Sequence, residues 1–247
     1  MRRAATRCLG YRSILGVSDF RRNNREKRME TAELHFRCNE GGMADYAAQL
    51  REVGTVMLPA YVAFDAHELA RIDALQARLP EEPVTAGDAG DAGDTHDIYV
   101  RRIMVDRAGE RPQLVNLPHS ETILNLLGDA RRTRFFGDMF GTRAEYFIRR
   151  CQINRMLKDS FIGMHLDAAS NPDYEFSVVI QLGRAFDGGE FVVHPQGRPP
   201  NVFAPAYGTV IVTSCAHRHE VRTVRANERT SLVYFYSRHN GANRRAA

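Results

Sequence analysis

A histidine and an aspartate stand two positions apart at the start of a hydrophobic run. They are His165 and Asp167 in the stretch GMHLDAASNPDYEFSVVIQL, residues 163–182. Side chains two apart in an extended strand point the same way, about 7 Å apart, so both can reach one metal ion. The pair alone is weak evidence for a site. In a chain of this length with nine histidines, the expected number of chance His-x-Asp pairs is roughly 0.5. A metal site requires a third ligand elsewhere.

A third ligand is available in the stretch SCAHRHEVRTV, residues 214–224. His217 and His219 are both possible, and an exposed histidine at a strand end is the alternative for each. Two histidines and one carboxylate, without a thiolate, suit a divalent first-row metal and leave coordination positions open. That pattern is typical of non-heme Fe(II) sites.

An arginine on the next strand could bind an acidic co-substrate. Arg229 lies ten residues after His219, and Ser231 follows on the same strand face. The planar guanidinium of arginine can bind a carboxylate through two parallel hydrogen bonds, and the serine hydroxyl adds a donor. A surface salt bridge is the alternative role for Arg229.

The elements that must position these residues change in character along the chain. The sequence predicts a helix and a short strand from Met43, a helix over residues 64–79 with Asp65 as its N-cap, a strand over 98–105, and one or two helices over 119–142. From residue 146 onward, short β-rich runs recur every 8–12 residues. This pattern predicts a mainly β fold, a jelly roll buttressed by N-terminal helices, with a polar, glycine-rich loop over residues 80–97.

Four segments together resemble a known superfamily. They are HLD at 165–167, FDGGEFVVH at 186–194, VFAPAYGTVIVTS at 202–214 and HEVRTVRANERTSLVYFYS at 219–237. In this order they resemble the Fe(II)/2-oxoglutarate dioxygenase superfamily, in its prolyl-4-hydroxylase-like branch. The resemblance selects His219 over His217, because only His219 has the basic residue ten positions later. It implies the double-stranded β-helix, in agreement with the jelly roll predicted above.

The resemblance also implies the site and its chemistry. Fe(II) is expected to bind His165, Asp167 and His219, and 2-oxoglutarate (2OG) is expected to bind Arg229 and Ser231. O2 is the second co-substrate, ascorbate is a candidate reductant, and succinate and CO2 are the expected by-products. The expected enzyme is therefore a 2OG-dependent dioxygenase acting as a hydroxylase.

A finer resemblance concerns residues 149–182 and 186–195, which are similar to a small group acting on free amino acids, notably lysine. That group contains hydroxylases and radical halogenases, and the halogenases carry a small residue where this chain has Asp167. We therefore expect hydroxylation of an unactivated C–H bond in a small molecule, a free amino acid. The alternatives are a peptide or prolyl hydroxylase, a nucleic-acid-acting oxygenase and a non-catalytic, cupin-like metal-binding module.

Four further residues are candidates for the pocket. Asn154 and Gln152 share one face of the strand before the metal pair; we assign Asn154 to 2OG and Gln152 to the substrate, with a strand amide of no function as the alternative. Arg102 is a candidate for a substrate carboxylate, and a surface position is its alternative. Asp173 is a candidate for a cationic substrate group, and a plain turn is its alternative.

Charge is concentrated at the N-terminus. Residues 1–43 hold ten basic and five acidic side chains, so the remaining 204 residues carry a net charge of −1 and give no reason to expect a nucleic-acid partner.

We predict one domain over 43–241, with helical support over 43–145 and a β-helix core over 146–238. Residues 1–42 are interpreted as a spurious extension, a disordered basic tail or a targeting segment.

Cysteines and hydropathy bear on the compartment. Four scattered cysteines without C-x-x-C spacing favour a reducing, cytoplasmic location. No apolar run approaches the ~18 residues that a membrane span needs, so no membrane association is expected.

Overall fold

The computed structural model describes residues 33–84 and 97–245. The helices in these ranges are α1 (Met43–Val53), α2 (Ala66–Gln76), α3 (His119–Leu127), α4 (Ala130–Phe140) and the short α5 (Asp167–Ser170). The strands in the first half are β1 (Leu34–Phe36), β2 (Thr55–Leu58), β3 (Glu82–Pro83), β4 (Ile98–Val105) and β5 (Gln113–Leu114). The later strands are β6 (Phe147–Met156), β7 (Ile162–His165), β8 (Phe176–Gln181), β9 (Phe186–Gly188), β10 (Phe191–His194), β11 (Asn201–Phe203), β12 (Val210–Ser214), β13 (Arg218–Val221), β14 (Val224–Asn227) and β15 (Arg229–Ser237).

Two sheets form the body of the molecule. The larger has the order β2-β12-β8-β15-β6-β4-β3, with β5 added beside β4, and the smaller has the order β1-β11-β10-β13-β7. Apolar side chains of both sheets meet in one buried cluster, which includes Val179 and Ile211 of the larger sheet and Phe191 and Val193 of the smaller. The predicted jelly roll is therefore confirmed, and the space between the sheets is available for a site.

Alternation along the strands of the larger sheet separates two environments. On β8, Val178 and Ile180 belong to a second core cluster that also contains Phe136 of α4 and Leu69 of α2. Val179, between them, faces the smaller sheet. Because strand side chains alternate in direction, the helices cover one face of the larger sheet and leave the other for the site. The N-terminal helices thus buttress the sheet as predicted.

The predicted N-cap of α2 is present with its reciprocal partner. The backbone N–H of Glu68 donates to the Asp65 carboxylate at 2.8 Å, and the backbone N–H of Asp65 donates to the Glu68 carboxylate at 2.9 Å. These two bonds satisfy donors that the first helical turn leaves unpaired. The capping box therefore determines where the helix begins.

The start of the folded part differs from the prediction that placed it at Met43. Strand β1 precedes α1 and pairs in parallel with β11, with His35 opposite Val202. Phe36 also stacks on Phe203, with ring centroids 5.1 Å apart. A strand of three residues is too short to give a periodic signal, so it could not be found from the sequence pattern.

Two predictions fall outside the described residues: the interpretations of residues 1–32 and the central part, 85–96, of the predicted loop. Within the described ranges, no helix combines the length and apolar character needed to cross a bilayer.

Candidate active site

Three side chains converge between the two sheets. Nε2 of His165 lies 3.4 Å from one carboxylate oxygen of Asp167, and Nε2 of His219 lies 3.4 Å from the other. His165 and His219 are directly opposite in the β7–β13 ladder. One potential ligand atom from each residue lies within 4.8 Å of the others. Two imidazoles and one carboxylate on one face match the donor set of a non-heme Fe(II) site.

The spacing argument assumed that His165 and Asp167 both lie on a strand, but Asp167 does not. Strand β7 ends at His165, and Asp167 is the first residue of α5. Leu166 between them keeps an extended backbone, with φ −125° and ψ 118°, so the two side chains still face the same side. The helix begins here because the backbone N–H of Asn171 closes a turn onto the Asp167 carbonyl.

The backbone determines which nitrogen of each histidine faces the site. Nδ1 of His165 lies 2.8 Å from the Gly163 carbonyl oxygen, and Nδ1 of His219 lies 3.1 Å from the His217 carbonyl oxygen. A carbonyl oxygen only accepts, so each Nδ1 carries the proton and donates it. Each Nε2 then presents a lone pair to the space it shares with the Asp167 carboxylate, where a metal ion would bind, as in metal-binding histidines.

Burial and charge act in opposite directions on Asp167. Its side chain is buried, which raises the pKa of the carboxyl group, but the nearby imidazoles of His219 and His165 outweigh burial and hold the pKa below its ordinary value. Its Oδ2 atom is buried and has no hydrogen-bond donor among the residues that the structure describes. A charged oxygen of this kind is costly unless a cation completes its environment, so the donor set fits a bound metal.

Arg229 forms a second buried charge on the larger sheet. It is 1% exposed. Its Nη1 lies 3.3 Å from the Ser231 hydroxyl oxygen and 3.7 Å from the Met156 sulfur. Burial lowers the pKa of the guanidinium to about 10, which still leaves it protonated at neutral pH. Nε and Nη2 have no acceptor in the described part of the chain. A buried cation with two donor nitrogens that lack an acceptor is suited to a carboxylate of a bound acid.

Gly189 allows the Arg229 side chain to occupy its place. Gly189 has φ +63°, and a Cβ added there would lie 2.7 Å from Cδ of Arg229. The positive φ is one reason for glycine at this position. The structure shows a second reason for glycine, since any other side chain would push on the buried arginine.

We predict that Gly189→Ala weakens 2OG binding while Fe(II) binding is retained. Overpacking typically costs about 1–3 kcal/mol, so the Kd for 2OG should rise at least about fivefold. Gly197→Ala is the matched control, because Gly197 has a similar φ of +69° but no atom within 4 Å of an added Cβ. Isothermal titration of the Fe(II)-loaded protein with 2OG under anaerobic conditions measures both. Equal effects of the two substitutions would assign the loss to backbone strain and not to Arg229.

Strand β6 adds a row of polar side chains to the same cavity. Gln152 and Asn154 both line it, with Gln152 Nε2 donating to Asn154 Oδ1 at 2.6 Å. Arg150, two residues before Gln152 on β6, lies on the same strand face and also lines the cavity. The sequence analysis missed Arg150, although its spacing of two from Gln152 was the signal that could have identified it.

The other two candidates for the substrate form ion pairs within the protein. Arg102 lines the cavity, but its guanidinium forms an ion pair with Glu82 of β3. Asp173 is paired with Arg244 near the C-terminus, and its carboxylate is not part of the cavity wall formed by the described residues. The structure therefore brings Arg102 to the site in a neutralised form and does not bring Asp173 there. Long-range pairing of Asp173 with Arg244, 71 residues away, has no local sequence signal.

Comparison with known proteins agrees with this geometry. The family described as the 2OG-Fe(II) oxygenase superfamily matches residues 151–237. A crystal structure of an oxidoreductase of the 2OG-Fe(II) oxygenase family from Burkholderia pseudomallei is 95% identical, with a TM-score of 0.83, and the match covers 88% of this chain and 100% of that chain. No curated protein gave a significant match. The fold and the site thus define an Fe(II)- and 2OG-dependent oxygenase, and the chain belongs to the 2OG-Fe(II) oxygenase family.

More distant structures share the fold. A prolyl-4-hydroxylase from Pseudomonas putida is 16% identical with a TM-score of 0.55, and the match covers 80% of this chain and 100% of that chain. The epimerase SnoN, in complex with Fe3+, α-ketoglutarate and nogalamycin RO, is 14% identical with a TM-score of 0.56, covering 79% of this chain and 83% of that chain. The resemblance to the prolyl-4-hydroxylase-like branch is thereby confirmed at the level of fold, and Fe(II), 2OG and O2 are the cofactors of the family.

Proposed function

We propose that this oxygenase hydroxylates an unactivated C–H bond of a free amino acid. The observation that carries the hydroxylase assignment is the position of Asp167, whose two oxygens face Nε2 of His165 and Nε2 of His219 at 3.4 Å each. The carboxylate thus fills the third protein position of the metal site. The assignment to amino acids is supported by the finer sequence resemblance and by the polar row on β6, which offers donors and acceptors to a small polar molecule.

Each residue has a distinct task in this proposal. His165, Asp167 and His219 hold Fe(II), which together with 2OG and O2 supplies the oxidising chemistry. Arg229, with Ser231 beside it, holds the carboxylate of 2OG that is remote from the metal. The apolar side chains around the cavity, such as Val179 and Phe191, exclude water from the reacting atoms.

We predict hydroxylation and not chlorination as the outcome of turnover. Chlorination requires an open position for chloride on the metal, and Asp167 fills the position that a small residue leaves open in the halogenases of the group that this sequence resembles. Turnover of amino acids in chloride buffer should therefore give a product heavier by one oxygen atom in mass spectrometry. A sulfate buffer serves as the control. A chlorinated main product would mean that Asp167 is not a metal ligand.

A substrate screen tests the amino-acid assignment. The standard amino acids and short proline-containing peptides are incubated with the protein, Fe(II), 2OG and ascorbate, the candidate reductant, and succinate is measured together with substrate mass. Succinate formation matched by hydroxylation of a free amino acid supports the proposal. Matched turnover of peptides alone would favour the peptide hydroxylase instead.

The compartment predicted from the cysteines remains part of this proposal. Cys38, Cys151 and Cys215, the cysteines in the described residues, are all free thiols. Free thiols suit the reducing conditions of the cytoplasm.

A further inference from the structure

Arg150 lies in the cavity and has no role in the proposal so far. It is on β6, and its side chain lines the same cavity as His165, Asp167 and Arg229. A half-buried cation beside the reaction site is a functional candidate if nothing else neutralises it.

The three arginines of the cavity differ in how their charges are neutralised. Arg102 is paired with Glu82. Arg229 is fully buried and is the expected partner of 2OG. Arg150 has no carboxylate within ion-pair distance in the residues 33–84 and 97–245. Two of the three cavity arginines thus have a partner or an expected ligand, and the third has neither.

Neighbouring amides hold the Arg150 guanidinium in one orientation. Nε and Nη2 of Arg150 both donate to Oε1 of Gln152, at 3.1 and 3.0 Å, and Gln152 in turn donates to Asn154. Gln152 is 9% exposed, so the amide is itself fixed by burial. A guanidinium has five N–H donors, and this arrangement uses two of them. Both N–H groups of Nη1 and one of Nη2 remain. One N–H of Nη1 and the remaining N–H of Nη2 form the edge that binds a carboxylate through two parallel hydrogen bonds.

Arg150 and Arg229 lie at opposite ends of the cavity. Arg229 is opposite Met156 in the β6–β15 ladder, and Arg150 is six residues before Met156 on β6. At about 3.3 Å per residue, their backbones are about 20 Å apart along the sheet. A 2OG molecule that contacts Arg229 and the triad therefore leaves the Arg150 end free for the substrate.

We infer that Arg150 binds the carboxylate of the substrate and that Gln152 orients its guanidinium for this purpose. The inference rests on the proposed function, because it assigns a group of the substrate in that same site. The sequence analysis gave Arg102 as the candidate for the substrate carboxylate. The inference assigns that role to Arg150, which has no ion-pair partner among the described residues. The enzyme should then discriminate by charge, accepting compounds with a free carboxylate and rejecting their neutral amides.

The test compares acids with amides in two variants. The wild-type protein is supplied with amino acids, their carboxamides and the matching carboxylic acids without an amino group, and kcat and KM are measured. The wild type should prefer the acid over its amide at least about tenfold in kcat/KM, because hydrogen bonds between charged groups are stronger than neutral ones. Arg150→Met should remove this preference, mainly through KM, and Arg150→Lys should keep part of it.

The remaining outcomes separate this inference from the proposed function. The Kd for 2OG and the thermal midpoint of Arg150→Met report whether the variant folds, and Arg150→Lys provides the test if it does not. Hydroxylation of carboxylic acids but not amino acids, with the preference lost in Arg150→Met, would retain the inference and reject the amino-acid assignment. An acid preference as large as that of the wild type in both variants, or in Arg150→Lys where Arg150→Met does not fold, would overturn the inference while the proposed function stands. A wild type that turns over only compounds without a carboxylate would overturn both.

Discussion

Replacing His219 with alanine should abolish Fe(II) binding, with a loss of affinity of more than about 100-fold. Mutation of residues that only hydrogen-bond to a metal ligand already lowers metal affinity by about 10–100-fold, and loss of the ligand itself should cost more. The reason is geometric: Nε2 of His219 faces Asp167 at 3.4 Å, and its ring lies 4.3 Å from the ring of His165, centroid to centroid. Anaerobic titration with Fe(II), followed by calorimetry or by measurement of bound iron, gives the affinity.

His217→Ala is the matched control for this substitution. The two histidines are two residues apart, but His217 precedes β13, its ring packs against Gly54, and it does not line the cavity that holds the triad. Only the backbone carbonyl of His217 contributes to the site, by accepting from Nδ1 of His219, and alanine keeps that carbonyl. Fe(II) affinity should therefore stay within about threefold of the wild type. Loss of iron in His217→Ala with retention in His219→Ala would shift the site by two residues and contradict the ligand assignment.

Replacing Arg229 with alanine should weaken 2OG binding by about 30- to 5000-fold while Fe(II) still binds. Removal of a buried charged partner typically costs about 2–5 kcal/mol, which corresponds to that range. The Arg229 guanidinium is buried, and two of its nitrogens have no acceptor among the described residues. Titration of the Fe(II)-loaded protein with 2OG in the absence of O2 gives the Kd directly.

An exposed arginine on a nearby strand controls for a general loss of positive charge. Arg225 of β14 is 54% exposed and pairs with Asp187 and Glu190 on the surface. Surface ion pairs contribute little, so Arg225→Ala should leave the 2OG affinity within about twofold of the wild type. Arg229→Lys, which keeps the charge and loses the planar donor pair, should fall between alanine and wild type. An unchanged 2OG affinity in Arg229→Ala would exclude this residue from the co-substrate site.

Elements with a strong local signal could be predicted from the sequence. The alternating run of β4 appears in the structure over Ile98–Val105, as predicted, and Asp65 caps α2 as expected from its position before a helical pattern. The cap of α2 could be predicted because its two hydrogen bonds join residues three apart, and β4 because its apolar and β-branched residues indicate a strand whatever strands it pairs with. The start of the folded part could not be found in this way, since β1 is defined by its pairing with Asn201–Phe203, about 165 residues later.

Residue spacing was enough to predict the metal-binding residues. It was not enough to predict which charged side chains are neutralised by ion pairs with distant residues. His165, Asp167 and His219 converge because one ladder, β7 with β13, sets the two histidines opposite each other. Asp173 was a candidate for substrate contact because it follows the metal pair, yet it is paired with Arg244. Arg102 faces the cavity as predicted, but the two-residue strand β3 brings Glu82 beside it. The spacing of Arg150 from Gln152 could have placed it on the same strand face, but its lack of a carboxylate partner among the described residues is visible only in the folded chain.

The most direct test is release of labelled CO2 from 2OG that carries 14C at its first carbon. This decarboxylation reports the Fe(II)- and 2OG-dependent reaction without knowledge of the substrate. The wild type should release 14CO2 in an Fe(II)- and O2-dependent manner, with one succinate formed for each CO2, and Asp167→Ala should lose this activity. Release that continues unchanged in Asp167→Ala, or that does not occur in the iron-loaded wild type with or without amino acids, would contradict the assignment of this site.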